Sequence, residues 1–584
     1  MRVFIRLSWF IKREWKAYLL GMLSLMGVSL FGLITPVMIG RFADGIASHT
    51  LTWAKIWPIL AAVLIATVGQ YIMRFAWSYF IWGTAARLEK TMRNQLFTHY
   101  LHMDATFFQK YRTGDLLAHA TNDISQMQRV AGNAVLQLFD SLITGLMVII
   151  AMIFVVDGRL TLVAVVPLFG ITLVASLLGS RIHNAFMNAQ AAFSTLNNKT
   201  QESIMGIKAL RTLGQEEEDI QDFSERVEET IKANRRAQFF DSMFDPAITL
   251  LIGVSYVATI IVGGSLVLHK SLTIGQLITF VTYLSQLIWP FMGLGFLFNN
   301  VQRGNASLDR IEELLSQEPA INDDPDGVTT APTGTIKLEV AEFRYPDANE
   351  LALENIQGDL PAGQTLGLVG QVGAGKSTLL RLLLREFDQY TGTITVNGID
   401  IRHYKLDAYL PAIGYVPQDN FLFSTTVREN IRFADPSVSD ERVEQAARWA
   451  NLHTDILSLP DGYDTQVGEQ GISLSGGQRQ RLAIARALII NPEILILDDA
   501  LSAVDAKTEK NILDMLTEQR AGKTTIISTH RLSAVVHAYE TLVMDHGRII
   551  ERGNHSELIA QHGWYEQMYV AQQIEAKLDA EVTD

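Results

Sequence analysis

The sequence predicts two fold classes on one chain: an all-α membrane domain of six spans over residues 1–316, and an α/β P-loop domain over residues 335–584, joined by a linker at 317–334. Three observations carry this. Six long apolar runs lie within the first 302 residues, and none follows. A G-x-x-x-x-G-K-S string at residues 370–377 stands between an extended apolar run and a helical one. Residues 331–584 hold 22 Lys and Arg against 36 Asp and Glu, so the whole formal charge of −14 falls there, while residues 1–330 balance at 26 of each.

The overall composition narrows the function classes. Hydrophobic residues make up 48% and charged residues 19%, which excludes disordered and low-complexity classes. An acidic domain without a basic tract is a poor candidate for binding nucleic acid through counterion release. With no cysteine there is no disulfide, thiol nucleophile or cysteine metal site.

A bilayer core needs about 20 apolar residues per helix. The first span is expected at 17–40, too long for a cleaved leader, and the second at 56–84, with Arg74 reaching the far interface. The third, 131–156, contains Asp140. The fourth, 160–180, follows after only Asp157, Gly158 and Arg159, so this pair forms a tight hairpin. The fifth is 246–268 and the sixth 274–302, after a short turn at 269–271.

Lys and Arg placement orients the spans, because loops rich in them stay cytoplasmic. Arg2, Arg6, Lys12, Arg13 and Lys16 precede the first span, and the two long connections carry Arg87, Lys90, Arg93, Arg112, Lys208, Arg211, Arg235 and Arg236. Both termini, both long connections and the C-terminal domain are therefore expected in the cytoplasm, on a multi-pass protein of a bacterial cell membrane. Charge in the connections repeats at helical spacing, so the spans should continue as helices beyond the bilayer. Residues 2–15 interleave aromatics with cations and suit a short interfacial helix, or simply a basic lead into the first span.

After the Pro, Asp, Gly and Thr cluster of the linker, extended patterning starts at Ile336. In the loop Gly370-Gln371-Val372-Gly373-Ala374-Gly375-Lys376-Ser377-Thr378, glycines let amide groups turn toward phosphates. Lys376 offers a cation to the β and γ phosphates, and Ser377 a hydroxyl to Mg2+. Downstream, residues 493–499 read as an apolar strand ending in Asp498 and Asp499, where a Mg2+-organising acid and a water-orienting acid are expected.

The string Leu474-Ser475-Gly476-Gly477-Gln478-Arg-Gln-Arg resembles the signature of the ATP-binding cassette exporters, and nearly the whole chain resembles that family, including its type IV exporter membrane fold. The resemblance implies two such domains facing head to tail, each ATP held between one chain's phosphate loop and the other chain's signature. It implies that Tyr345 stacks on adenine, that Gln418 reaches Mg2+ and the attacking water, and that His530 contacts the γ phosphate. It also implies that the loop through Asp505 crosses to the opposite site, together with the signature residues. Tyr345 as an ordinary core aromatic is the competing reading. Residues 465–469 resemble the exporter loop before the signature, with Gln466 where an acid is common; residues 107–116 and 202–206 resemble the cytoplasmic connections that dock on nucleotide-binding domains.

One departure matters. Most members of that family carry Glu where this chain has Asp499, which implies a degenerate site. With an intact signature on the same chain, the pattern resembles one subunit of the heterodimeric bacterial multidrug exporters, whose partner carries the Glu and an altered signature. A homodimer with two slow sites is the alternative. The implied function is ATP-driven export of hydrophobic or amphipathic drugs, possible cargo extending to lipids; the alternatives are an ATPase-coupled membrane sensor without net transport and a homodimeric lipid or peptide exporter. Asp140, in the inner part of its span, is the substrate-site candidate for cationic cargo, against a helix–helix hydrogen bond or a water-facing group.

Overall fold

The computed structural model describes residues 2–346, 348–468 and 474–583. It divides into two compact units: the chain up to Leu101 with Thr113–Gln317, and His102–Arg112 with the chain from Glu318 onward.

The first unit is helical throughout. Helices Trp15–Ala47, Trp53–Leu101, Thr113–Val156 and Glu216–Leu268 are long and apolar enough to cross a membrane among the described residues. The fourth and sixth expected spans lie on helices Gly158–Met205 and Ile274–Leu315. Trp53–Leu101 contains 49 residues, about 74 Å at 1.5 Å per residue, well beyond a hydrocarbon core of about 30 Å. The Asp157 carboxylate caps Gly158–Met205 by accepting from the Arg159 and Leu160 amides at 2.8 and 2.9 Å, which ends one helix and starts the next within a single extended residue. Residues 2–13 form two short helices, Arg2–Arg6 and Ser8–Arg13. Their Val3, Leu7 and Phe10 are buried, Ile5 and Trp15 are exposed, and Arg6 pairs with Asp309 and Glu312.

Several polar side chains in this unit join helices. Pro36 has no amide to give the Gly32 carbonyl, and Gln286 Nε2 donates to that oxygen at 3.3 Å. Tyr283 Oη donates to the Leu33 carbonyl at 2.8 Å and Thr279 Oγ1 to the Pro36 carbonyl at 3.1 Å, a seam at helical spacing along one face of Ile274–Leu315. The helices touch backbone to backbone at its end, where a Cβ on Gly40 would lie 2.4 Å from the Gly275 carbonyl oxygen. There Asp44 accepts from the Gly275 amide and from Thr273 Oγ1, each at 2.7 Å. The third span's helix is interrupted by π-helical turns at His119–Asp123, Val130–Ala134 and Met152–Val156, a feature the apolar periodicity did not announce. At the first of these, the buried Asp123 bonds Arg310 Nε at 3.0 Å and His119 Nδ1 at 2.7 Å. Burial pushes its carboxyl up, but the hydrogen bonds from Arg310, His119 and Ser307 outweigh that and leave it below the ordinary carboxylate value.

The second unit is α/β. Strands β1 (Ile336–Phe343), β2 (Leu353–Leu360), β4 (Tyr390–Val396) and β5 (Ile399–Asp400) form an antiparallel sheet in the order β2-β1-β4-β5. Strands β3 (Thr365–Gly370), β6 (Ile413–Val416), β7 (Ile494–Asp498), β8 (Thr524–Ser528), β9 (Glu540–Asp545) and β10 (Arg548–Gly553) form the other, ordered β10-β9-β3-β8-β7-β6. The pairs from β9 to β6 are parallel. β7 and β8 are buried along their whole length, as expected of strands covered on both faces. The short helix Ala105–Lys110 belongs to this unit: Asp104 caps it from the Phe107 amide at 3.2 Å and also accepts from the Ala320 amide, and Ala105 packs on the core around β1 and β3.

Candidate functional site: a phosphate-loop edge and a separate signature helix

Four adjacent parallel strands end side by side, and each leads to predicted site residues. β3 leads into the loop 370–378, β8 into His530, β7 ends at Asp498, and β6 is followed by Gln418. Ligands of open parallel sheets bind outside such carboxyl ends. In the loop, Gly370, Gly373 and Gly375 have φ of +146°, +84° and +98°. A Cβ on Gly370 would lie 2.1 Å from the Met544 carbonyl oxygen, and one on Gly375 2.9 Å from Leu353 Cδ2. Glycine is therefore required for both backbone angle and space. Gln371 and Val372 lie at the exposed tip, Ala374 is buried, and Gly375 starts helix Lys376–Leu383.

Lys376 is buried, and its Nζ donates to the Gly370 and Gln371 carbonyls at 2.9 and 3.0 Å. Burial lowers its pKa from the ordinary value; Asp499 and Asp498 partly oppose the shift. Ser377 Oγ donates to Asp498 Oδ1 at 3.1 Å. A hydroxyl and a carboxylate brought together beside a phosphate-loop lysine are a donor set that fits an octahedral hard cation with bound phosphate. Ser528 Oγ, at the end of β8 in register with Asp498, is buried without a hydrogen-bond partner among the described residues, so the strand edge retains unused polar capacity.

Asp499 has φ of +49°, a left-handed conformation that Asp tolerates better than most residues. Its amide donates to the Ser528 carbonyl at 2.8 Å, and its own carbonyl accepts from Ser502 Oγ at 2.9 Å. Tyr345 Oη and Thr378 Oγ1 hydrogen-bond at 3.0 Å, while the ring meets Phe343 and Phe387 edge-on. Tyr345 is thus joined to both the core and the phosphate loop. Gln418 is exposed and His530 half-buried.

The signature stands apart. Ser475 caps helix Gly476–Leu488: its Oγ accepts from the Gln478 amide at 3.2 Å, and Gln478 Oε1 accepts from the Ser475 amide at 3.0 Å. This S-x-x-Q capping box was legible in the sequence, though the string suggested only a ligand role. Leu474 is buried; Gly476 and Gly477 lie against Ala503, a Cβ on Gly477 falling 2.8 Å from the Ala503 carbonyl oxygen. Asp505 caps helix Ala506–Gln519 through the Thr508 amide at 3.0 Å, and that bond holds its carboxyl below the ordinary value. No hydrogen bond among the described residues joins 474–478 to 370–378. Of the loop before the signature, residues 465–468 are described, and Thr426 and Gln466 form an isolated β-bridge; Glu469 lies outside the described residues.

Sequence reasoning missed a network behind these loops. Gln480 Nε2 donates to Ser502 Oγ at 3.0 Å, and Gln480 Oε1 accepts from the Ala503 amide at 2.9 Å. Arg531 donates to the Val504 and Ser502 carbonyls at 2.8 and 2.9 Å and to the buried Glu509 at 2.8 Å. No local pattern signals these bonds, because each joins segments 22 to 29 residues apart.

In Asp140, the carboxylate accepts from Thr144 Oγ1 at 2.9 Å, and Thr144 Oγ1 lies 2.7 Å from Ser29 Oγ on the first span. The residue sits in a polar chain linking two helices.

A membrane-spanning helical unit joined to a phosphate-loop α/β unit with its own signature helix defines an ATP-binding cassette half-transporter. Residues 18–291 match the ABC transporter transmembrane region and residues 353–502 the ABC transporter domain. The chain belongs to the ABC exporter family, and it is an ATPase that couples hydrolysis to transport. It is 41% identical over 569 residues to the probable multidrug resistance ABC transporter ATP-binding/permease protein YheI of Bacillus subtilis, covering 97% of each chain. It is also 41% identical over 579 residues to the multidrug resistance-like ATP-binding protein MdlA of Escherichia coli, covering 99% of this chain and 98% of that one. At 31% identity, covering 98% of each, it is similar to an ATP-dependent lipid A-core flippase of Chromohalobacter salexigens.

Proposed function

We propose that this chain is one subunit of a heterodimeric exporter that moves hydrophobic or amphipathic drugs out of a bacterial cell through the cytoplasmic membrane. The observation that carries the reading is the pairing of Asp499 with a well-formed signature helix start at Ser475. The relatives named for multidrug resistance support the cargo class. Both termini and the ATPase unit are cytoplasmic in this reading, residues 1–316 forming the membrane domain, 317–334 the linker and 335–584 the nucleotide-binding domain.

At its own phosphate loop, residues 370–378 cradle the phosphates, Lys376 neutralises them, Tyr345 packs on the base and His530 contacts the γ phosphate. Ser377, Asp498 and Gln418 would hold Mg2+, which when bound neutralises charge developing on the phosphates. Asp499 sets its carboxylate back by about one methylene, roughly 1 Å, enough to cost on the order of 10²-fold in a positioned reaction. This site is therefore slow. Leu474, Ser475, Gly476, Gly477, Gln478 and Asp505 complete the partner's competent site in trans. The similarity to a lipid A-core flippase favours lipid as the second cargo class.

The test is reconstitution with and without a second half-transporter co-purified from native membranes. Substrate-stimulated ATPase and uphill dye efflux only in the pair support the heterodimer. Full efflux by this chain alone would replace it with a homodimer, and ATPase without efflux in the pair would favour a sensor.

A further inference from the structure

The C-terminal helix, Trp564–Thr583, reaches the loop that carries His530. It is firmly seated: Tyr565 is fully buried, Trp564, Met568 and Tyr569 pack on the main core of the unit, and the Glu551 carboxylate accepts from the Trp564 and Tyr565 amides at 2.5 and 3.1 Å. One turn beyond Met568 on the same face stands Gln572. Its side-chain amide makes two hydrogen bonds to one short stretch of backbone: Nε2 donates to the His530 carbonyl at 2.7 Å, and Oε1 accepts from the Leu532 amide at 2.9 Å.

Bonding the carbonyl of one residue and the amide two residues on is what a neighbouring strand does to an extended residue. The residue between them, Arg531, is extended at φ −93° and ψ 113°. The Leu532 amide precedes a 3-10 turn, Leu532–Val535, where helix-start amides otherwise lack partners. The strand-to-turn corner is also held by Arg531 on the Ser502 and Val504 carbonyls and by the Thr529 amide on the Leu368 carbonyl at 3.0 Å. Those bonds belong to the residues on either side of His530, whereas Gln572 bonds the His530 carbonyl itself.

We infer that Gln572 is a positioning residue for His530, so that the C-terminal helix forms part of the nucleotide site's support; this rests on the reading above that His530 contacts the γ phosphate. A residue that aims a γ-phosphate contact affects the preference for ATP over ADP. A residue that merely stabilises the unit affects both nucleotides together.

The experiment measures Mg-ATP and Mg-ADP affinities by displacement of a fluorescent nucleotide from the full-length protein in its native assembly, with melting temperature recorded alongside. The variants are Gln572→Leu, which loses both bonds, Gln572→Glu, which keeps an acceptor for the Leu532 amide but cannot donate to the His530 carbonyl, and His530→Ala as reference. Both Gln572 variants should lower the ATP-over-ADP preference by about fivefold, the size of one lost hydrogen bond, with ADP affinity unchanged. A preserved preference in both while His530→Ala abolishes it overturns the role of Gln572. Parallel weakening of ATP and ADP with a lower melting temperature overturns it too, in favour of simple stabilisation. If His530→Ala itself keeps the preference, the γ-phosphate reading fails and takes this inference with it.

Discussion

The phosphate-loop edge and the seam between helices Trp15–Ala47 and Ile274–Leu315 use polar residues in opposite ways. Along the seam, Gln286, Tyr283, Thr279 and Asp44 each bond the backbone of another helix or its cap. At the strand edge, Lys376 rests on its own loop's carbonyls, and Ser528 Oγ has no hydrogen-bond partner among the described residues. In a bilayer a polar group gains stability by satisfying backbone or side chain inside the protein, so the seam groups are fully engaged in structure. Polar groups buried in the α/β unit but left under-used are available to a ligand. The contrast teaches that a polar residue's existing partners are a better guide to its function than its rarity in an apolar run.

The largest expected effect is at the signature. Gly477→Asp would place side-chain atoms against the Ala503 carbonyl, 2.8 Å from the first added carbon, and Ser475→Arg removes the capping box. Either should reduce steady-state ATPase of the assembled transporter by about 10²- to 10³-fold, the range seen on removing a preorganised donor. Asp499→Ala should cost much less, because in the proposed arrangement its own site is slow and contributes little turnover. A larger loss from Asp499→Ala would break the division of labour between the two regions of this unit.

Lys376→Ala comes next. It removes the cation from the loop and should weaken ATP at that site by roughly a hundredfold, the equivalent of about 3 kcal/mol for a charged hydrogen-bonding group. In the proposed heterodimer, binding of labelled ATP should fall from two sites toward one. Unchanged occupancy of both would remove Lys376 from the site.

How much of this was legible varies with sequence distance. The phosphate loop, the 493–499 strand and the signature are contiguous strings whose chemistry and neighbours in sequence coincide, and the four strand ends place their residues side by side. Apolar runs long enough for a span are read from local composition alone, and four helices among the described residues have that length and apolarity. The seam was not, because nothing local links Gly40 to Gly275 or Pro36 to Gln286. The pattern of residues 2–15 suits either a short interfacial helix or a basic lead into the first span and does not mark the break at Leu7, which turns inward while Arg6 reaches Asp309 and Glu312. Gln572 belongs to no sequence motif, and its partners are far off along the chain, in the loop that carries His530.

Asp123 sharpens the comparison within the helical unit, being fully engaged by Arg310 and His119. Asp123→Asn should lower stability by about 1–3 kcal/mol at pH 7, the worth of hydrogen bonds to a charged group. Because its carboxyl sits below the ordinary value in the folded protein, the stabilisation is present above the unfolded value near 4 and is lost as pH falls through the folded value. Melting curves in detergent should therefore show a gap between parent and variant that narrows below about pH 4. A gap independent of pH down to acid unfolding contradicts the ion pair.

Asp140 is the intermediate case, already bonded to Thr144 and through it to Ser29. If its carboxylate also faces cargo, Asp140→Asn should reduce efflux of cationic dyes about fivefold more than of neutral ones, a loss of roughly 1 kcal/mol. Equal losses for both dye classes with poorer expression would assign it wholly to the polar chain between the helices. Ser29→Ala in the same assay separates the two, because it breaks the chain without touching the charge.

Asp499→Glu tests the strand edge most directly. The backbone there is left-handed at φ +49° and tied to the Ser528 carbonyl. Glu is less at home than Asp in that conformation, so lengthening the side chain returns reach at some cost in backbone fit. Restoring Glu corrects only one of the two defects in the proposed slow site, since the facing signature would come from a partner in which it is altered. Single-turnover hydrolysis in the purified pair, with the partner's own strand-end Glu replaced by Gln, isolates this site. Negligible turnover before Asp499→Glu and a gain of about tenfold or less after it, small against the roughly 10²-fold expected from repositioning alone, mean that a second defect remains. Fast hydrolysis with Asp499 in place would show that one methylene does not decide the chemistry, and that the phosphate-loop edge of this chain is a working site.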